Sequence, residues 1–323
     1  MPKISNDIFP ENPKIIFMGT PDFAASTLNT LVDKKKNILA VVTQPDRPKG
    51  RGRKIIASPV KQLALEHNIE VLQPERISDD SFCDLMKQMA PDILIVVAFG
   101  QILRRCLLDI PKFGAINIHA SLLPKYRGAA PIQWAVLNNE SVTGLTVMRM
   151  DEGLDTGPML FQEELMIGEN ETAGQLHDRL ASLSGDLMVR SLEKMAGKPI
   201  EEIPQDSSLS SYASKIGRDI SLIDWTMDAE QISAQIRGLD PKPGAYTRLS
   251  GKEIKLFSPG IINKDIQTAV PGKVSIKNKE GLFVETGNGL IEIKEVQLQG
   301  KKRMVCCDFL CGVSIPGGTV LGD

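Results

Sequence analysis

The sequence predicts an open α/β sheet over residues 1–200, a linker over 201–217 and a small β-barrel over 218–323. Three observations carry this expectation. Short apolar runs alternate with stretches of helical period through about residue 150. The composition turns polar and serine-rich after Pro199, and the C-terminal third then offers short strand candidates separated by turns.

In order along the chain, residues 14–18 read as an apolar strand that ends at the tight turn Gly19-Thr20-Pro21-Asp22. Phe23, Leu28, Leu31 and Val32 then recur at helical spacing, and residues 38–43 form the next strand. Residues 43–61 carry Arg47, Lys49, Arg51, Arg53, Lys54 and Lys61 against the single acid Asp46. Pro45, Pro48, Gly50 and Gly52 break regular structure there, so a basic, flexible loop is expected, with a purely solvated loop as the plain alternative. Ser58-Pro59 has the form of an N-cap followed by proline at the first helical position. Residues 93–98 lack polar alternation, as in a parallel strand covered on both faces, and 115–119 and 144–150 supply two more strands. A helix is expected over 172–195. After the linker, Ile232, Ile236 and Leu239 mark an amphipathic helix, and strands are expected at 245–249, 253–257, 273–276, 282–286 and 290–296. Five short strands fit an OB-type barrel.

Composition excludes several functions. At 323 residues, two domains suit the chain better than one core. With 42% hydrophobic and 24% charged residues it is neither disordered nor membrane-like, and its longest apolar run, 93–99, is too short to span a bilayer. No basic segment followed by an apolar stretch opens the chain, so a cytoplasmic protein is expected. Five cysteines without paired spacing or a nearby histidine read as reduced thiols rather than a metal centre. The net charge of −2 announces no global nucleic-acid field. Nothing in the sequence calls for an obligate protein partner.

The turn at Gly19 fails as a dinucleotide fingerprint, because Thr20 and Pro21 stand where a second glycine would let the backbone approach a pyrophosphate. A stronger constellation is Asn117-Ile118-His119-Ala120-Ser121-Leu122-Leu123-Pro124, then Arg127-Gly128, then Asp155 between Gly153 and Gly157. Period-two geometry places Asn117 and His119 on one side of their strand at its C-terminal end, where open α/β sheets bind ligands. His67 and His177 fit helix faces; His119 alone lies at such an edge, with a satisfied core histidine as the alternative.

The run NIHASLLPKYRGAAPIQWA, with the aspartate of MDEGLDTGPM, resembles the formyltetrahydrofolate-dependent formyltransferases. Added to it, GTPDFAASTL, TQPDRPKGRGRK, SPVK and VVVAFGQIL, followed by a small C-terminal domain, resemble the branch of that family that acts on methionyl-tRNA, and the likeness covers nearly the whole chain. The resemblance implies a Rossmann-like catalytic domain and an OB-type domain that helps bind tRNA. It implies Asn117, His119 and Asp155 as catalytic residues, and Ser121, Leu122, Leu123 and Pro124 at the folate, with part of the pocket near 97–103. It assigns Arg51, and more loosely Arg53 and Lys54, to contact with the acceptor stem. The implied donor is 10-formyltetrahydrofolate, without a metal, and the implied acceptor is the α-amino group of initiator methionyl-tRNA, serving translation initiation. One departure is that basic and acidic residues nearly balance over 201–323, where that branch often carries a positive domain.

The residue types suit the chemistry. Amine attack on a formyl carbon builds negative charge on oxygen, which an asparagine amide and an imidazole N–H can both stabilise, and a carboxylate beside the imidazole can orient it and relay protons. Two other functions fit parts of the pattern. A formyltransferase acting on a small amine, such as an amino sugar or a glycinamide nucleotide, needs neither basic loop nor barrel. A non-enzymatic tRNA-binding protein needs no Asn, His and Asp set.

Overall fold

The computed structural model describes residues 8–49, 54–267, 270–277, 281–316 and 318–322. The chain divides into two compact units, one of 1–128, 144–165 and 177–212, the other of 129–143, 166–176 and 213–323. In chain order the first elements are β1 (Ile15–Gly19), α1 (Asp22–Asp33), β2 (Ile38–Val42), β3 (Arg47–Lys49), β4 (Lys54–Ile56), α2 (Pro59–Glu66), β5 (Glu70–Leu72) and α3 (Asp80–Met89). There follow β6 (Ile93–Val97), α4 (Arg105–Leu108), β7 (Ala115–His119), β8 (Arg127–Gly128), α5 (Pro131–Leu137), β9 (Val142–Arg149), β10 (Met159–Met166) and α6 (Ala173–Met195).

The first unit is built on a seven-stranded sheet in the order β10-β9-β7-β6-β1-β2-β5. β7, β6, β1, β2 and β5 run parallel, and β9 lies antiparallel to β7. Every residue of β1 and of β6 is buried, which is why their sequences show no polar alternation. From β1 the chain winds outward through β2 and β5, then returns to place β6 and β7 on the other side of β1, so a topological switch point lies between β1 and β6. Gly19 ends β1 there because a Cβ would stand 2.6 Å from the Ala24 Cβ and 2.9 Å from the Val97 carbonyl oxygen. Its role is close packing. Ser58 caps α2 as expected, its Oγ accepting the Lys61 N–H at 3.1 Å with Pro59 opening the helix.

The expected irregular loop after β2 needs correcting. Arg47–Lys49 and Lys54–Ile56 pair as an antiparallel ribbon, with Pro48 opposite Ile55. A two-stranded ribbon has free edges on both sides, so a proline without an N–H is tolerated where a central strand would reject it. Arg51 and Arg53, the expected tRNA contacts, lie outside the described residues, and of Lys54 only the backbone is described.

The remaining elements are β11 (Tyr212–Ala213), α7 (Ala229–Gly238), β12 (Tyr246–Leu249), β13 (Lys252–Gln267), β14 (Val274–Lys277), β15 (Gly281–Glu285), β16 (Asn288–Leu298), β17 (Met304–Val305) and α8 (Cys306–Gly312). In the second unit β12, β13, β16, β15 and β14 are neighbours in that order, all antiparallel, with β17 added to β16. Its core gathers Trp225, Ile232 and Ile236 with Ile254, Leu256, Val284, Ile291 and Ile293. Asp228 and Gln231 form a capping box that starts α7. All five expected strands are present, but β13 is 16 residues long and continues through Pro259. β12 pairs only with 252–255, so beyond that stretch one edge of β13 is left without β12 and the missing N–H is tolerated.

Candidate active site

β7 carries Asn117 and His119 two residues apart at its C-terminal end, so both side chains leave one face of the sheet. β6 supports them on one side, with Val96 opposite Asn117, and β9 on the other, with Thr146 opposite His119. His119 is only 6% exposed. Asn117 is half-buried, and its amide has no hydrogen-bond partner among the described residues. It is free to donate to a ligand.

His119 Nε2 lies 2.9 Å from the carbonyl oxygen of Tyr126. A carbonyl only accepts, so this nitrogen carries a proton and donates it. Nδ1 faces Asp155 Oδ2 at 3.6 Å, longer than a direct hydrogen bond. With Nε2 protonated, a neutral ring would turn a lone pair toward the carboxylate, and the two repel unless a proton or a ligand hydrogen sits between them. The expectation that the imidazole N–H faces an oxyanion therefore changes: one N–H is committed to Tyr126, and the nitrogen left for chemistry is the one beside Asp155.

Asp155 holds its place through the backbone around it. Its φ of 54° is in the left-handed region, which aspartate tolerates better than most side chains. The Gly128 N–H donates to Oδ2 at 2.9 Å. Gln205 Nε2 donates to the carbonyls of Asp155 and Gly157, at 2.9 and 2.7 Å. Gly157 is required because a Cβ there would fall 1.9 Å from the Arg149 carbonyl oxygen. Asp151 Oδ1 closes the loop by accepting the Gly153 N–H at 3.0 Å and the Thr156 hydroxyl at 2.8 Å.

The 121–124 segment is fixed mostly from behind. Ser121 and Leu123 are buried, and Leu122 and Pro124 half-buried, with a cis bond joining Leu123 to Pro124. Ser121 Oγ donates to the Lys125 carbonyl at 2.7 Å, and the Thr146 hydroxyl donates to the Ser121 carbonyl at 2.7 Å while accepting the Leu123 N–H at 3.1 Å. Gln162 Nε2 donates to the Leu123 carbonyl at 2.9 Å. Leu122 and Pro124 are the two side chains of the segment that keep partial exposure, Leu122 lying against Gly144 of β9.

Of the expected 97–103 segment, Ala98, Phe99, Gly100 and Gln101 line a cavity of about 720 Å³ at the switch point, facing Thr20 and Pro21 after β1 and Gln44 and Pro45 after β2. A polar chain holds its walls. Gln44 Nε2 and the Thr20 hydroxyl both donate to the Phe99 carbonyl at 3.3 Å, and Gln73 Nε2 donates to the Gln44 carbonyl at 2.9 Å and to Asp46 Oδ1 at 2.8 Å. Lys61 Nζ completes it, 2.6 Å from Asp46 Oδ2 and 2.7 Å from Gln73 Oε1. Lys61, and after it Gln73, hold the Asp46 carboxyl below the usual carboxylate range. Such a lowered group adds stability above its unfolded pKa and loses it as pH falls through the folded one, so the anchor is intact at neutral pH. Lys61, counted in sequence among the cations of the basic loop, is committed to this anchor.

The sequence reading missed Thr146, Gln162, Ser211 and above all Gln205, which sits in the stretch expected as linker. Gln205 Oε1 accepts from Arg127 Nε and Nη2, at 3.0 and 2.7 Å, so one side chain ties Arg127 to the Asp155 loop. Ser211 accepts the Tyr126 N–H at its hydroxyl and the Arg127 N–H at its carbonyl, both at 2.9 Å. Nothing local marks these residues; only Arg127 belongs to a recognisable motif. Gln205→Ala is expected to lower turnover at least about tenfold by releasing the Asp155 loop, since small misplacements at a reacting centre are costly. Gln205→Glu, which keeps the acceptor for Arg127 but loses the donor to both carbonyls, should fall similarly. Turnover equal to wild type in both folded variants would remove Gln205 from the site.

An unpartnered amide and an imidazole–carboxylate pair at the carboxyl edge of an open sheet have the chemistry that acid–base work and anion stabilisation require. The chain belongs to the formyl transferase family: residues 13–192 match the formyl transferase family model and residues 215–314 match that of the formyl transferase C-terminal domain. It is 49% identical to the methionyl-tRNA formyltransferase of Geobacter sulfurreducens over 311 residues, covering 96% of this chain and 97% of that one. It is also 49% identical to that of Pelobacter propionicus over 308 residues, covering 95% and 96%. The N-formyltransferase of Helicobacter canadensis, solved with folinic acid and dTDP-3-aminofucose, shares the fold with a TM-score of 0.67 at 20% identity, over 90% of this chain and 100% of that one. No helix among the described residues is long and apolar enough to cross a membrane.

Proposed function

We propose that this chain transfers the formyl group of 10-formyltetrahydrofolate to the α-amino group of initiator methionyl-tRNA. The observation that carries the reading is the juxtaposition of Asn117, His119 and Asp155 at one strand edge, in a chain that matches a methionyl-tRNA formyltransferase over 96% of its length. In this reading residues 1–200 form the catalytic domain, 201–217 the connection and 218–323 a tRNA-binding domain. Leu122 and Pro124, with the backbone of Ser121 and Leu123, meet the folate beside the 97–103 segment.

The chemistry follows from the atoms left free. The neutral amine attacks the formyl carbon, and the Asn117 amide donates to the oxygen that gains charge, a contribution of about 2.7 to 4 kcal/mol for a well-placed donor. The attacking nitrogen must lose a proton and the folate nitrogen must gain one as it leaves. His119 Nδ1, backed by Asp155, is the group that can hold a proton between those events, while the Nε2–H bond to Tyr126 keeps the ring from turning. The scheme needs no covalent intermediate on the protein.

Formylation assays with the purified protein and 10-formyltetrahydrofolate test the reading, with charged initiator tRNA, an elongator tRNA and a panel of amino sugars and glycinamide nucleotide as acceptors. Initiator methionyl-tRNA should be preferred, and preference for a small amine would reject the assignment. Arg51 is assigned to a phosphate of the acceptor stem, where a guanidinium gives two directed hydrogen bonds and lysine a single mobile charge. Arg51→Lys should therefore impair tRNA formylation at unchanged net charge, and Arg51→Ala should impair it more and reduce the slope of log affinity against log salt by about one. Folate binding should survive both.

A further inference from the structure

We infer that Cys83 and Cys106 are a peroxide-sensitive pair that closes to a reversible disulfide, fastening α3 to α4 next to the Ala98–Leu103 segment. Their Sγ atoms lie 3.4 Å apart, thiol against thiol, although the residues are 23 positions apart in sequence and on different helices. A disulfide requires about 2.05 Å, so closure asks for roughly 1.4 Å of approach between side chains that already face each other. Among the described residues no other two cysteines are in such contact.

Core packing explains only one partner. Cys83 is buried beside Phe82 and Met86 of α3 and Leu107 and Leu108 of α4, where cysteine serves as a small apolar residue. Cys106 is exposed and gains nothing from burial. The difference sets an order of events. A peroxide reaches Cys106 first, and its sulfur takes one peroxide oxygen to become a sulfenic acid while the other oxygen leaves as water. Cys83 sulfur then attacks the sulfenic sulfur, the S–S bond forms, and hydroxide departs with the Cys83 proton as a second water. The two thiols supply two electrons and the peroxide accepts them. Burial, with the Cys106 thiol next to it, pushes the Cys83 thiol up to about 11, which keeps it from competing for the oxidant; Cys83 gives up its proton only as it attacks, and the 3.4 Å contact with Cys106 offsets its small thiolate fraction.

The link has a route to the site. Phe99 and Leu103 share a core cluster with Cys83, Leu107 and Leu108, and Ala98 to Gln101 line the switch-point cavity. Drawing α4 toward α3 pulls on the segment that the proposed function places at the folate, so this consequence, though not the disulfide itself, rests on that reading.

The test treats the reduced full-length protein with hydrogen peroxide, blocks remaining thiols with an alkylating reagent and maps disulfides by peptide mass spectrometry. A Cys83–Cys106 linked pair that dithiothreitol removes is expected, with Cys307 and Cys311 recovered in alkylated form. Cys83→Ser should accumulate Cys106 sulfenic acid, trapped by dimedone, and Cys106→Ser should leave Cys83 unreacted at the same dose. Because Cys106 is exposed, that variant provides a control independent of core packing. Oxidised wild type should bind folate several-fold more weakly and recover on reduction. Stable Cys106 sulfenic or sulfinic acid in wild type without the linked peptide, or linkage to another cysteine instead, overturns the inference. Mapping needs no activity, so it stands apart from any failure of the formyl-transfer assay.

Discussion

Asn117→Ala should turn over at least about a hundredfold more slowly than wild type in single-turnover formylation, with a nearly unchanged melting temperature. The amide makes no hydrogen bond among the described residues, so its removal leaves no buried partner unsatisfied. His119→Ala should lose as much rate and also stability. The ring is buried and its loss takes the Nε2–H bond from the Tyr126 carbonyl, a cost of about 0.5 to 1.5 kcal/mol before the lost packing. This split between a purely kinetic and a mixed defect distinguishes the two roles. Wild-type single-turnover rates in either folded variant would exclude that residue from the mechanism.

Asp155→Asn should fall by a similar factor while keeping fold and folate affinity. Asparagine also tolerates the left-handed backbone at this position and still accepts the Gly128 N–H. The Gly128 N–H and His119 Nδ1 meet the same carboxylate oxygen, Oδ2, so the asparagine that keeps the Gly128 bond turns its carbonyl oxygen to the imidazole and offers it no negative charge. The variant is expected to melt close to wild type and yet to transfer protons poorly, which costs about two to four orders of magnitude when general acid–base catalysis is lost. An unchanged rate would reject the carboxylate's role, and a large drop in melting temperature would show that Asp155 serves the loop rather than the reaction.

The parts of this fold legible in sequence are those where burial and local chemistry act over a few residues. β1 and β6 are buried throughout and read as unbroken apolar runs, and the Ser58-Pro59 pair marks a helix start by its own hydrogen bonding. β10 escaped because its residues are mostly half-buried or exposed, so no clear apolar alternation betrays the strand. The β3–β4 ribbon and the length of β13 escaped because proline is read as a breaker, whereas at an unpaired edge it breaks nothing. In the site, Asn117, His119 and Asp155 carried a motif. Gln205, Ser211, Thr146 and Gln162 act over tens of positions, by side chains found anywhere on a protein surface, and only the assembled chain reveals them. Lys61 shows the opposite error: its charge was legible and its commitment to Asp46 was not.

The serine-rich stretch after Pro199 looks like a place to cut, tag or lengthen the chain. Ile203 exchanges two backbone hydrogen bonds with Met159, Gln205 grips the Asp155 loop, and Ser211 grips Tyr126 and Arg127. Three points eight residues apart from first to last are thus held to fixed partners, and one inserted residue between any two would throw a grip out of phase. What composition presents as spare rope is a measured strap, and an engineer splitting this protein in two would find safer ground elsewhere.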